Sequence, residues 1–311
     1  MLSGARLPLA LVSACPVPLP LLDLSETDRS LDALAPLLLD TPPSYTLLLP
    51  PPPPSSSTSL PLLTSCISAM AACLVLKASG QYASITVEDL RALRWLRAPL
   101  TVPRLQRLLA LETLLTRALP LHVLTQRSLS AQRRALVLWL DVGQALLALR
   151  AHVLIKAVYK GLTDASMLRL GSLWRPLESR RGEMATLKEH VTQLTHQQQS
   201  EDERPCVPLM PLTQLQIYDG LPDRVGKHIH FAKLAFTYRT VSKALKHQHH
   251  AYAPNAPLPW SPPVGASLDG LFAAAERTTS AGLLAASMQA NPIAETCGWL
   301  EALHGNRSSD F

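Results

Sequence analysis

Residues 128–160 constrain the fold of this chain most, because nearly all of them are apolar or good helix formers. A hydroxyl at Ser128 or Ser130 can cap the start of a helix, and Gly161 can end it. At about 100° per residue, most of the polar side chains of this stretch share about a third of the circumference, and most of the remaining surface is apolar. We therefore expect one long helix, either at the centre of a bundle or laid against a membrane.

Leucine and alanine dominate the composition, whereas aromatic residues make up only 5% of the chain and charged residues only 17%. Leucine and alanine favour helices, while strands are enriched in β-branched and aromatic residues. A chain of 311 residues can also bury a substantial core. We predict a mainly α fold: a helical bundle with membrane-associated apolar helices and a Pro-rich N-terminal arm.

Two apolar segments are candidates for membrane association. Residues 60–76 are uncharged and reach the lower length limit of a membrane-spanning helix. In the longer segment, Asp141, Arg150 and Lys156 would each cost about 2.5–3.5 kcal/mol at the centre of a bilayer. A helix lying at the lipid surface is therefore favoured there over a span, and the number of spans stays open.

Prolines mark the boundaries between predicted segments. They interrupt the apolar residues 1–22, which favours an extended arm over a cleaved targeting segment, although cleavage stays open. Residues 50–54 are all proline and precede a serine-rich stretch, so a linker is predicted there. Thr101 or Pro103 can open a leucine-rich helix that Pro120 is expected to end. The resulting division is an N-terminal arm and linker at 1–58, a membrane-associated helical module at 59–174, a polar loop or disordered segment at 175–208, and a C-terminal helical module at 209–311.

The charge and the cysteines exclude several classes of protein. The formal net charge of +6 suits an anionic partner, but no long run of Lys and Arg occurs, so nucleic-acid binding is not predicted. The five cysteines are scattered, and no Cys-x-x-Cys occurs. Neither a zinc ribbon nor a disulfide framework is therefore indicated.

No motif of covalent catalysis or cofactor binding is found in the sequence. Residues 220–228 imitate a phosphate-binding loop but are one residue too long and end in His228 instead of a hydroxyl. The histidines near residue 248 favour a solvated basic loop over a metal site, because Lys243 and Lys246 would repel a cation. We predict a protein that is not an enzyme, with no cofactor, metal or small-molecule substrate.

Several short motifs follow one another in order in the first half of the chain. An apolar helix leads into Gly80-Gln81-Tyr82, with Glu88 just beyond. Leu119-Pro120 then precedes Trp139-Leu140.

The second half continues this order of motifs. Gly226-Lys227 begins an amphipathic helix that carries Tyr238, Trp260-Ser-Pro262 forms a corner with Asp269 beyond it, and a final helix ends before Pro292. Taken together, residues 60–292 resemble the peroxin-16 family of peroxisomal membrane biogenesis proteins.

The resemblance implies a non-enzymatic biogenesis factor in the peroxisomal (glycosome-type) or endoplasmic reticulum membrane, where it recruits the docking machinery for the insertion of peroxisomal membrane proteins. Its implied partners are the lipid membrane, peroxin-3 and, through peroxin-3, the chaperone peroxin-19. Its implied interaction residues are Gly80, Tyr82, Glu88, Trp139, Gly226, Tyr238, Trp260, Pro262, Asp269 and Pro292.

Other interpretations stay open beside this resemblance. The chain could be a soluble helical scaffold subunit of a large, mitochondrial assembly. Gly80 and Gly226 suit ordinary helix ends, and Trp139 and Trp260 suit a core.

Overall fold

Helices form nearly all the regular structure in the computed structural model, which describes residues 59–91, 102–196, 204–210, 215, 220–249, 252, 261–291, 293–295 and 297–304. The helices are α1 (Ser59–Ala83), α2 (Val87–Arg91), α3 (Pro103–Leu124), α4 (Leu129–Ala148), α5 (His152–Leu162), α6 (Ala165–Leu168), α7 (Gly171–Trp174), α8 (Arg181–His196), α9 (Phe231–Leu245), α10 (Pro262–Glu276), α11 (Ser280–Ala290) and α12 (Gly298–His304). Turns of 3₁₀-helix cover Arg175–Arg180 and Lys246–His249, and strands β1 (Arg224–Val225) and β2 (His228–Ile229) form a short hairpin. The mainly α prediction is confirmed.

The core lies where α3 and α5 cross, with α1, α4, α8 and α10 around them. Gly161 on α5 makes the crossing close, because a Cβ atom there would lie 3.0 Å from the Thr116 carbonyl oxygen. Pro120 does not end α3, which continues to Leu124. The missing N–H of a proline removes only one helical hydrogen bond, and here tertiary packing buries the turn around Pro120 completely.

The predicted helix over residues 128–160 is wrong in one respect, since it is two helices. α4 ends at Ala148 and α5 begins at His152, and Arg150 between them has a φ of 56°. The backbone of Val207 pairs with this break: its N–H donates to the Arg150 carbonyl at 3.3 Å, and its carbonyl accepts from Val153 at 3.4 Å. The sequence gives little warning, because residues other than glycine seldom adopt positive φ.

The expected membrane association of the apolar helices is also wrong. Their apolar faces contact other helices of the bundle, where Leu74, Trp139 and Leu154 are fully buried. Within the described part of the chain, no helix combines the length and the apolar character needed to cross a bilayer. The predicted N-terminal arm at 1–58 lies outside the described residues.

The predicted division into four segments stays a prediction. α8 occupies much of the segment expected to be polar loop, and it packs on α4 and α5. α10 from the C-terminal segment packs on α1 and α3.

Candidate functional site

Helix α9 exposes three large apolar side chains in its N-terminal half, while polar side chains face the protein there. Phe231 is 77% exposed, Leu234 51% and Tyr238 72%, whereas Lys233 and Thr240 are buried. Surface helices normally bury their apolar face. An exposed apolar face of this kind is typical of an interaction site.

The hairpin β1–β2, which directly precedes α9, exposes two further apolar side chains. Gly226 occupies its turn with a φ of 63°, a conformation that glycine adopts without strain. Val225 and Ile229 on the two strands are 60% and 61% exposed. We call Phe231, Leu234 and Tyr238 together the α9 patch.

Lys233 fixes the hairpin segment to the start of α9. Its ammonium group donates hydrogen bonds to the Leu221 carbonyl oxygen at 2.6 Å and to Asp223 Oδ1 at 2.8 Å. The His230 N–H also donates to the Asp223 carbonyl at 2.9 Å. These bonds explain how a lysine side chain can be buried here, since a charged group is tolerated inside a protein when it is paired.

The C-terminal half of α9 is anchored to the bundle. The Tyr82 hydroxyl donates to the Ala244 carbonyl oxygen at 2.6 Å, and Gln248 Nε2 donates to the carbonyl oxygens of Tyr82 and Ile85 at 2.7 and 2.8 Å. Val241, Ala244 and Leu245 are buried on the same side, and the helix packs on α2. The anchored end therefore holds the exposed N-terminal end in a fixed position.

Basic side chains lie beside the apolar residues. Arg239, Lys243 and Lys246 are exposed and follow one flank of the α9 helix, and Arg224 and Lys227 are exposed on the hairpin. Positive charge thus lies on the flank of α9 next to its exposed apolar residues and on the hairpin that precedes the helix.

The described residues offer little to hold a metal or a catalytic centre. No group of three possible metal ligands occurs among them. His152 Nδ1 lies 3.0 Å from His190 Nε2, and burial lowers the pKa of both rings, that of His152 to about 3. Two uncharged imidazole rings can pack against each other, and His152 and His190 therefore serve as a contact between α5 and α8. A cleft of about 300 Å³ between α1 and α10, lined by Leu74, Leu268 and Phe272 among others, is mostly apolar.

The structure distributes the residues singled out from the sequence over several places. Tyr238 belongs to the α9 patch, Gly226 lies in the turn of the hairpin that precedes α9, and Tyr82 anchors the same helix. Trp139 is fully buried and donates from Nε1 to His122 Nδ1 at 3.0 Å, so it faces the core.

The remaining candidates lie away from the α9 patch or are not described. A Cβ atom added at Gly80 would meet nothing within 4 Å, and Glu88 is exposed in the first turn of α2. Pro262 is the first residue of α10, and Asp269 pairs with Lys77. Trp260 and Pro292 lie outside the described residues.

Sequence reasoning missed Phe231, Leu234, Val225 and Ile229. The apolar spacing of Phe231, Leu234 and Tyr238 at i, i+3 and i+7 does predict one apolar helix face. Nothing in the sequence indicates that Thr237 and Thr240 are buried while these apolar residues are exposed.

The α9 patch overlaps the end of a family match. A RasGEF domain matches residues 69–235, which include the hairpin and the first turn of α9, while Tyr238 lies just beyond. No curated protein matches the chain significantly.

The match overturns the peroxin-16 resemblance, which rested on short motifs in a shared order. The location, function and partners that the resemblance implied are therefore wrong as well: the peroxisomal membrane, peroxisome biogenesis, and peroxin-3 and peroxin-19. The mitochondrial scaffold is no better supported. Because the match spans more than half of the chain, this protein belongs to the RasGEF domain family.

Proposed function

We propose that this chain binds a Ras-type small GTPase through the α9 patch and accelerates the release of its bound guanine nucleotide. The family match supports the exchange activity, and the outward-facing apolar residues of α9 support the choice of surface. The outward-facing apolar side chains of α9 are the observation that carries the proposal. Side chains as large as Phe231 and Tyr238 contribute little burial free energy to the isolated chain while they are exposed.

Exchange requires a coupling between two binding events on the GTPase. If the exchange factor lowers the affinity of the GTPase for nucleotide, then nucleotide lowers its affinity for the exchange factor by the same factor. The chain should therefore bind the nucleotide-free GTPase most tightly and be released by added GDP or GTP. No covalent bond changes in this process, so the prediction that the chain is not an enzyme is compatible with it.

The anchoring of α9 gives this coupling a structural basis. A partner seated on Phe231, Leu234 and Tyr238 contacts a helix whose other end is tied to α1 through Tyr82 and Gln248. The helix can then hold its partner in one arrangement. If the GTPase binds nucleotide best in a different arrangement, the free energy of its contact with α9 favours the arrangement that binds nucleotide more weakly.

The test is the release of a fluorescent GDP analogue from a panel of Ras-type GTPases, with and without the chain. At least one GTPase should lose nucleotide faster, and the Phe231→Asp/Tyr238→Asp double variant should lower this acceleration at least tenfold. Buried aromatic side chains at interfaces contribute about 2 kcal/mol or more each, and about 1.4 kcal/mol corresponds to a factor of ten.

Met288→Asp is the matched control, since Met288 is a 49% exposed apolar side chain on α11. It should leave exchange unchanged. The proposal is wrong if no GTPase of the panel responds to the unaltered chain. The choice of surface is wrong if exchange occurs and both variants behave alike.

A further inference from the structure

The region that presents the α9 patch carries charge of almost one sign. Residues 220–249 contain six Lys or Arg residues and one carboxylate, Asp223. That carboxylate pairs with the buried Lys233. Arg224, Lys227 and Arg239 are exposed, and no ion pair with any described residue involves them.

The charge and the apolar residues are arranged as in a protein interface. Phe231, Leu234 and Tyr238 lie within about 60° of one another around α9, at 100° per residue, and Arg239 lies about 100° from Tyr238 on the adjacent flank. Arg224 pairs with Ile229 across the hairpin, and Lys227 lies in its turn, in the segment that directly precedes α9. An apolar centre with a polar rim is the usual anatomy of a protein–protein contact.

Building on the proposed function, we infer that the GTPase face that meets α9 is acidic at its rim as well as apolar at its centre. Arg224, Lys227 and Arg239 recognise that negative charge. A basic counter-surface would be rejected, because like charges brought together across an interface cost several kcal/mol. The charge thus selects among GTPases that offer a similar apolar surface.

Charge of this kind acts mainly on the rate of association and is screened by salt. The screening length is about 10 Å at 0.1 M ionic strength and about 3 Å at 1 M. Electrostatic steering raises association rates by about 10- to 1000-fold at low salt. The dissociation rate should depend on salt much less, because the apolar centre sets it.

The experiment measures association of the full chain with the responsive, nucleotide-free GTPase by stopped flow between about 20 mM and 500 mM NaCl. The unaltered chain should associate at least tenfold more slowly at the highest salt. The Arg224→Glu/Lys227→Glu/Arg239→Glu variant should associate at least tenfold more slowly at low salt and within about threefold of the unaltered chain at high salt.

The control carries the same change of net charge elsewhere. Arg107, Arg181 and Arg277 are exposed, and the Arg107→Glu/Arg181→Glu/Arg277→Glu variant should associate within about threefold of the unaltered chain. Equal slowing by both variants would overturn the inference, since only net charge would matter. Nucleotide exchange together with an association rate that does not depend on salt would also overturn the inference, but it would leave the proposed function intact. Absence of exchange by the unaltered chain would instead refute the proposed function.

A lipid surface is the competing source of negative charge. The test adds vesicles with and without an anionic phospholipid to the chain and measures cosedimentation. The inference is refuted if the Arg224→Glu/Lys227→Glu/Arg239→Glu variant loses binding to anionic vesicles but associates with the GTPase as fast as the unaltered chain. The basic residues would then be assigned to lipid. Weak vesicle binding with slowed GTPase association supports it.

Discussion

Removing one hydroxyl tests whether α9 is anchored as described. Tyr82 is 2% exposed, and its hydroxyl donates to the Ala244 carbonyl oxygen at 2.6 Å. That carbonyl belongs to the last turn of α9, where the intrahelical N–H partners run out. Tyr82→Phe keeps the ring and its packing but leaves a buried acceptor without this donor.

The expected loss is about 1–2 kcal/mol of unfolding free energy, since a buried acceptor that loses its partner costs about 1–3 kcal/mol and some of this is recovered by relaxation. For a chain of this size that corresponds to roughly 2–6 °C in the unfolding temperature. The hydroxyl also gives a pH signature. Burial raises the pKa of Tyr82, so the folded chain keeps this proton at a pH where the unfolded chain loses it. The stability from this group is complete below a pH of about 10 and falls as the pH rises further.

Urea unfolding followed by far-UV circular dichroism measures the global loss, and hydrogen exchange measures the local one. Amides of α9 should lose more protection than amides of α3, because the broken bond joins α9 to α1. Tyr238→Phe is the matched control, since Tyr238 is 72% exposed and no hydrogen bond of its hydroxyl to a described residue is found; it should change stability by less than about 0.5 kcal/mol. Equal stability of the two variants, with unchanged exchange in α9, would refute the anchoring argument.

Three further perturbations test the core and the hairpin. Gly161→Ala should destabilise the chain by about 1–3 kcal/mol, because its Cβ would meet backbone at 3.0 Å. Gly182→Ala is the control: its Cβ would meet nothing within 4 Å, and it should stabilise α8 by about 0.5–1 kcal/mol. Thermal unfolding of both variants tests this, and equal shifts in unfolding temperature would contradict the close crossing. Burial lowers the pKa of His122 to about 4, so its contribution is complete above a pH of about 6.5 and is lost as the pH falls towards 4, by on the order of 3 kcal/mol. His122→Gln should flatten the dependence of stability on pH over that window, and an unchanged profile would refute this assignment. Lys233→Met should remove the bonds by which α9 holds Leu221 and Asp223 at the start of the hairpin, and it should speed hydrogen exchange in β1 and β2 while leaving the amides of α3 unchanged; uniform loss of protection would instead indicate a global effect.

Local signals in the sequence predicted much of the helical structure. The Thr86 side chain caps α2 by accepting from the Asp89 N–H at 3.3 Å, while the Asp89 carboxylate accepts from the Thr86 N–H at 2.8 Å. Ser128 likewise caps α4 by accepting from the Ala131 N–H at 3.2 Å. Such caps depend on residues three positions apart, so they can be predicted without tertiary information.

The errors come from contacts between distant parts of the chain. The break at Arg150 is held by Val207, which no local pattern connects to it. Apolar helices were assigned to lipid because hydropathy does not distinguish a bilayer from the interior of a bundle. Tyr82 and Tyr238 were singled out only through a family resemblance that proved wrong, and the structure gives each a different reason to matter, one as an anchor and one as an exposed surface.

The apolar residues of α9 face solvent, although burying them would stabilise the isolated chain. This conflict supports a role for them in binding a partner. Burying a side chain such as Phe231 or Leu234 would stabilise the chain by about 1.5–3 kcal/mol each. Rotating α9 about its axis would bury them, but it would also expose Val241 and break the hydrogen bonds of Lys233 and Tyr82. The polar contacts therefore fix the rotation of the helix, and they fix it with the apolar residues outward. A surface held open in this way gains its burial only when a second protein covers it, which is what a transient contact with a GTPase requires.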